Sequence, residues 1–116
     1  MLPNRMQLTK TVEEQLKRLK TFTDVTPNIA ARIAFFRSVE TGFIYTPNDE
    51  KKLDGSLVLD KITWLGETQL ITEQVLKLKY PDLQGKALQS AWAAHVEDGI
   101  AGLRNHKSLL EFSRSL

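Results

Sequence analysis

The chain is 116 residues long, 41% hydrophobic and 26% charged, with a formal net charge of +2. That length supports one domain able to bury a core without crosslinks. The absence of cysteine excludes disulfides, thiolate chemistry and cysteine-based zinc sites. No run approaches the roughly 20 apolar residues of a membrane span, and Met1 to Arg5 lacks the apolar stretch of a signal peptide, so a cytoplasmic protein is expected. The charge is unevenly placed. Residues 1–40 carry seven Lys/Arg against four Asp/Glu, residues 41–82 five against seven, and residues 83–116 four against three. A basic front and an acidic middle suggest an anionic partner for the front.

From the N-terminus, Arg5-Met6-Gln7-Leu8-Thr9-Lys10 alternates polar and apolar, which predicts a short strand with Met6 and Leu8 inward. Thr11-Val12-Glu13-Glu14 fits a capping box with Thr11 as the cap. Val12, Leu16, Leu19 and Phe22 then form one apolar stripe of a first helix. Glu13 and Glu14 sit at the positive end of its dipole, and Lys17, Arg18 and Lys20 near the negative end. That helix should stop between Phe22 and Asp24. Thr26 caps a second helix with Pro27 at its first position. Ile29, Ala30, Ile33, Phe36 and Val39 recur at helical spacing, leaving Arg32 and Arg37 to the outer face, and Gly42 terminates the helix. A strand followed by two capped helices is the outline of a ribbon-helix-helix DNA-binding unit, in which Arg5, Gln7 and Thr9 would face the major groove.

Residues 41–60 read as a loop pinned to the body by Phe43, Ile44, Tyr45, Leu57, Val58 and Leu59. A third helix is predicted over residues 67–78, with Leu70, Ile71, Val75 and Leu78 inward and Tyr80-Pro81-Asp82 as its breaker. A fourth, over residues 85–103, carries the stripe Leu88, Ala91, Trp92, His95, Val96, Gly99, Ile100 and Leu103. Its small residues Ala87, Ala91, Ala94, Gly99 and Gly102 would let another helix approach closely. A short fifth helix is predicted over residues 108–114. The whole reads as a mainly α, compact single-domain fold of about five helices over residues 1–116, with a short N-terminal strand giving a ribbon-helix-helix-like start.

Catalytic chemistry finds little purchase. A metal hydrolase needs clustered carboxylates or histidines. Asp49, Glu50, Asp54 and Asp60 alternate with lysines, as a solvated surface does, while Glu97 and Asp98 lie elsewhere. His95 and His106 are too far apart to ligate jointly, and His95 on an apolar stripe reads as a hydrogen-bonded core residue. Ser38, Ser56, Ser90 and Ser108 lack a nucleophile elbow, and there is no glycine-rich phosphate loop. No catalytic residue, metal or cofactor is assigned. The cations Arg5, Lys10, Lys17, Arg18 and Lys20 are the candidate surface, because phosphate contacts give salt-sensitive affinity that multiplies on oligomerisation. The free amides of Asn28, Ile29 and Ala30 at the second helix start also suit a phosphate oxygen, so Asn28 and Arg32 join the candidate DNA contacts.

Three segments carry a family resemblance: Thr26-Pro27-Asn28-Ile29 through Arg32-Ile33-Ala34-Phe35, Ile62-Thr63-Trp64-Leu65-Gly66-Glu67, and Ala94-His95-Val96-Glu97-Asp98-Gly99 with Leu103. With these the chain resembles, over its whole length, the DndE family of the bacterial DNA phosphorothioation system. The matching residues are helix-core and turn signatures, not catalytic ones. The resemblance implies a part in replacing a non-bridging phosphate oxygen of DNA with sulfur. It also implies that partners handle the sulfur: a cysteine desulfurase, an iron–sulfur ATP-pyrophosphatase-like enzyme and an ATPase. The expected role is a non-enzymatic, DNA-binding accessory protein that grips the sugar–phosphate backbone of duplex DNA, nicked duplex included. It would act as a homo-oligomer, dimer or tetramer, because the stripes of the second and fourth helices with Phe35, Phe36 and Trp64 exceed what one small domain buries. One alternative is a structural adaptor that docks on partner proteins through the acidic middle, the aromatic loop and the small-residue helix face. The least favoured is a nicking endonuclease using Asp49, Asp54 or Asp60.

Overall fold

The computed structural model describes residues 1–47 and 51–102. The expected helix over residues 108–114 lies outside them. In chain order the elements are β1 (Arg5–Met6), α1 (Lys10–Thr23), α2 (Pro27–Glu40), β2 (Leu59–Asp60), α3 (Lys61–Leu65), a 3-10 turn (Gly66–Thr68), α4 (Gln69–Lys79) and α5 (Lys86–Ala101). The mainly α reading holds, and the short strand exists. It pairs antiparallel with β2 of the same chain, Arg5 opposite Asp60 and Met6 opposite Leu59.

That pairing changes the ribbon-helix-helix outline. Met6 and Leu8 are buried as the alternation predicts, but their polar neighbours are used locally. The Gln7 side chain donates to the Gly55 carbonyl at 3.0 Å. Thr9 is the cap of α1, its Oγ1 accepting from the Val12 amide at 3.2 Å. Thr11 therefore lies inside the first turn, the N-cap sits two residues earlier, and the expected capping box does not form, because the residue three after Thr9 is Val12. Thr11 has the fuller local signal, with Glu14 three residues on, but the tertiary contact of Lys10 N with Asp54 favours Thr9 as the cap. The helix ends as expected, where Asp24 takes the left-handed conformation at φ 62° and its amide returns to Lys20 O.

The N-terminal strip is stitched along its length to distant residues. Leu2 N donates to Glu73 at 3.0 Å, and Lys61 Nζ reaches both Glu73 and the Leu2 carbonyl. The carbonyls of Met1, Asn4 and Leu8 accept from the amides of Gly85, Lys61 and Gly55. Met6 O takes the Trp64 indole N–H at 2.7 Å, and Gln7 O takes the Gln89 amide at 3.0 Å.

The centre of the fold is the crossing of α2 and α5. Ala30, Ala31 and Ala34 of α2 are fully buried, as are Ala91, Trp92 and Val96 of α5. At Gly99 the backbones come so close that an added Cβ would sit 1.9 Å from the Ala34 carbonyl oxygen. The predicted small-residue face is thus real, and α2 occupies it. Trp64 and Trp92 meet edge-on, ring centroids 5.5 Å apart, beneath this crossing.

One expected face is only partly met: of Leu70, Ile71, Val75 and Leu78, only Val75 packs against the core. In α4 the buried residues are Thr72, Glu73 and Leu76, whereas Leu70, Ile71 and Leu78 are 68%, 55% and 83% exposed. The helix turns Glu73 inward beside Leu76 because its carboxylate answers Leu2 N and Lys61, and Leu70, Ile71 and Leu78 then face out. A buried carboxylate left without those partners would cost several kcal/mol; here it is paired. Among the described residues no helix is long and apolar enough to cross a membrane.

Candidate nucleic-acid interface

The exposed side of α1 follows directly from its buried side. Val12, Leu16 and Leu19 face the core, so Lys10, Lys17, Arg18 and Lys20 are exposed. Lys10 and Lys17 are about two turns apart on one face, roughly 10 Å along the axis, with Arg18 beside them and Lys20 on the other flank. The two acids of this helix behave differently from the expected dipole partners. Glu13 is 4% exposed and turns to residues 56 and 57, where its carboxylate accepts from the Leu57 amide and the Ser56 hydroxyl and meets Lys17 Nζ at 3.3 Å. Burial pushes this carboxyl up, but the Leu57, Ser56 and Lys17 bonds outweigh it and hold it below the usual range. Glu14 alone remains on the outer surface. Lys10, Arg18 and Lys20 enter no ion pair among the described residues.

The other expected contacts are placed less freely. Arg5 is exposed but paired with Asp60 at 3.2 Å and bonded to Val58 O. Arg32 donates from Nε to Trp64 O at 2.8 Å and from Nη2 to Thr63 O at 3.0 Å. Asn28 Nδ2 also donates to Thr63 O, at 3.1 Å. The two side chains therefore cap the C-terminal carbonyls of α3, and Gly66 lies directly beneath the Arg32 guanidinium, where a Cβ would be 2.7 Å from it. At the start of α2 the Asn28 and Ile29 amides stay outside the helical ladder, but Ala30 N is committed to Thr26 O. Asn28 and Arg32 hold α3 against α2.

The acids considered as metal ligands are dispersed. Asp54 accepts from Lys10 N, which holds its carboxyl low. Asp60 pairs with Arg5, Glu97 pairs with Lys51 at 2.7 Å, and Asp98 accepts from Ser38. Asp49 and Glu50 lie outside the described residues. Among the described residues no three acidic or histidine groups gather as a metal site would require.

Ser38, His95 and Asp98 share the residue types of a hydrolytic triad, so their geometry matters. Ser38 Oγ lies 2.9 Å from His95 Nδ1 and 2.7 Å from Asp98 Oδ2, and Tyr80 Oη lies 2.7 Å from His95 Nε2. Tyr80 Oη also accepts from Tyr45 N at 2.8 Å. A carboxylate only accepts, so Ser38 donates to Asp98 and must accept from His95 Nδ1–H. Nε2 is then the acceptor of the Tyr80 hydroxyl. Every proton in the chain points one way, from Tyr45 N to Asp98. The imidazole offers the serine a donor rather than a base, and both residues are fully buried. This constellation is structural. Burial first, then the charge of Lys79, outweighs Asp98 and pushes His95 down to about 4.

Sequence reasoning missed a second cationic feature. Lys51, Lys52 and Lys86 line one cleft with Gln7, Leu53 and Gln89, about 450 Å³ in volume. Lys86 opens α5 and the other two come from the loop before β2, a separation in sequence that hides the cluster from any local count.

Residues 5–111 match the family described as "DndE: DNA sulphur modification protein DndE". The chain belongs to the DndE family. Its fold agrees with solved DndE structures. The crystal structure of DndE from Escherichia coli B7A, described as involved in DNA phosphorothioation modification, shares 69% identity at a TM-score of 0.84 and covers 89% of this chain and 99% of its own. A double glycine-to-lysine mutant of DndE, described as involved in DNA phosphorothioation, shares 68% identity at a TM-score of 0.85 with the same coverage. No curated protein matches the chain. The resemblance read from the Thr26, Ile62 and Ala94 segments is therefore correct at the level of the DndE family.

Proposed function

We propose that this DndE-family chain is a non-enzymatic, DNA-binding accessory protein of DNA phosphorothioation. It holds the sugar–phosphate backbone of duplex DNA, nicked duplex included, for the partner enzymes that mobilise and insert sulfur. The observation that carries this reading is the outer face of α1: four exposed cations on a helix anchored by its opposite face, with one of its two carboxylates turned away into the fold. Arg5 of β1, exposed but paired with Asp60, is a further candidate contact. Asn28 and Arg32 serve it indirectly by fixing α2 to α3.

Titration of intact, nicked and single-stranded DNA of one sequence at two salt concentrations tests the reading. Nicked duplex is expected to bind most tightly. Reversing Lys10, Arg18 and Lys20 to glutamate should weaken binding by about 10- to 100-fold and lower the salt slope by about 3. Lys17 is left in place because its reversal would set a second carboxylate against Glu13. Equal binding to all three DNA forms removes the nick preference, and the absence of salt-dependent binding removes the DNA role. A reversed variant that still supports DNA modification fully would favour the adaptor reading.

The same protein is proposed to act as a homo-oligomer. The apolar surplus differs from the residues expected: Phe35 and Trp64 are 1% exposed, and among the described residues the large exposed apolar side chains are Met1, Phe22, Ile29, Ile44, Ile62, Leu70, Ile71 and Leu78. Leu70, Ile71 and Leu78 share the outer face of α4, and an apolar face of this kind marks an association surface. Light scattering at micromolar concentration should give a dimer or tetramer, and the paired change Leu70→Glu and Leu78→Glu should reduce it to monomer. A monomeric unaltered chain would defeat the proposal.

A further inference from the structure

The lysine cleft continues into an apolar pocket. The second cavity, about 340 Å³, shares Lys51, Leu53 and Ser90 with the first and is walled by Phe43, Tyr45, Ala93 and Ala94. Both aromatic rings are held from behind, Phe43 edge-on to His95 at 5.0 Å and Tyr45 edge-on to Tyr80 at 6.2 Å. Ala93 and Ala94 keep the opposite wall low. At the other end Lys51 is neutralised by Glu97, whereas Lys52 and Lys86 have no ion-pair partner among the described residues. Asp54, the acid that feels Lys52 electrostatically, is occupied by Lys10 N. The result is one continuous cleft with an apolar, aromatic-walled end and a cationic end.

We propose that this cleft binds a nucleoside 5′-phosphate unit, with the base against Phe43, Leu53 and Ala94 and the phosphate between Lys52 and Lys86. The chemistry of each end selects its half of the ligand: planar bases favour apolar and aromatic walls, and lysine ammonium groups bind phosphate as point charges. The apolar cavity alone is within the volume range of small-molecule pockets, about 300 Å³ upward. The unit has two sources, a free mononucleotide or an unstacked nucleotide of a DNA strand, such as one bordering a nick. The second source rests on the proposed DNA-binding role. Thr9 lines the apolar cavity and immediately precedes Lys10, so the cleft opens beside the basic face of α1.

Photocrosslinking with 5-iodouracil tests both sources in the full chain. One arm uses 5-iododeoxyuridine 5′-monophosphate, and the other uses a duplex with 5-iodouracil on the nucleotide bordering a nick. Peptide mapping is expected to place the adduct on Phe43 or Tyr45 in at least one arm. The unphosphorylated nucleoside should crosslink about tenfold less, as should the monophosphate with the Lys52→Glu, Lys86→Glu variant, because the phosphate term is electrostatic. Ala94→Trp, which fills the pocket, should abolish the adduct, with thermal melting as the check on its fold. An adduct in the free arm without any DNA binding supports the cleft and refutes the DNA role. Salt-dependent DNA binding with no adduct in either arm, or with adducts only elsewhere, overturns the cleft and leaves the DNA role standing.

Discussion

Replacing Gly99 with alanine should destabilise the fold by about 3 kcal/mol or more, the upper end of overpacking costs. The new methyl group would lie 1.9 Å from Ala34 O, 2.5 Å from its carbonyl carbon and 2.7 Å from its Cα. All three are backbone atoms of α2, so no rotamer change relieves the clash, and α2 must move away from α5. That movement opens the contacts of Ala30, Ala31 and Ala34 at the centre of the core. Alanine gains about 1 kcal/mol of helix propensity over glycine, which is too little to compensate. Gly102→Ala is the control. Its Cβ would meet the flexible end of Arg37 at 3.2 Å, and its effect should stay within about 0.5 kcal/mol. Urea unfolding followed by circular dichroism measures both, and equal stability of the two variants would show that the crossing yields more easily than its geometry indicates.

The second large effect is a loss of stability on acidification through His95. Its ring is neutral, fully buried and edged by Phe35 and Phe43, with both nitrogens committed to the one-way chain between Tyr80 and Ser38. Protonation would put a second donor against a hydroxyl that already donates. Unfolded, the imidazole titrates near 6.5; folded, near 4. Because the unfolded chain binds the proton first, stability rises with pH across this window. The contribution is complete above about pH 6.5 and is lost as pH falls through 4, in total about 3 kcal/mol. Unfolding free energies at pH 5.5 and 7 isolate it from the carboxylates, Glu13 among them, whose protonation adds further loss at lower pH. A His95 titration midpoint near 6.5 by NMR would contradict the buried proton chain.

The parts of this fold legible in sequence are those set by local chemistry. Thr26-Pro27 sets the start of α2, the seven stripe residues from Leu88 to Ile100 mark the buried face of α5, and His95 within that stripe is the hydrogen-bonded core residue its setting predicts. The exposed cations of α1 follow from the same periodicity. Where reading failed, a distant partner had overruled a local preference. Thr9 displaced Thr11 because Asp54 holds Lys10 N. Leu70, Ile71 and Leu78 of α4 face outward because Glu73 is required inside by Leu2 and Lys61. Arg32 looked free because the α3 carbonyls it caps come from more than thirty residues away. The cleft of Lys52 and Lys86 was hidden for the same reason, since segment-wise charge counting put Lys52 in a net acidic stretch.

The stitched N-terminal strip also constrains how the chain can be made. Leu2 waits for Glu73 and Gln7 for Gln89, separations of 71 and 82 residues. At ribosomal speeds of about 5–20 residues per second, those partners are synthesised on the order of 10 s after the strip itself. Met6 and Leu8, fully buried at the end, spend that interval outside any core. The residues of this strip are thus among the last of the fold to be secured.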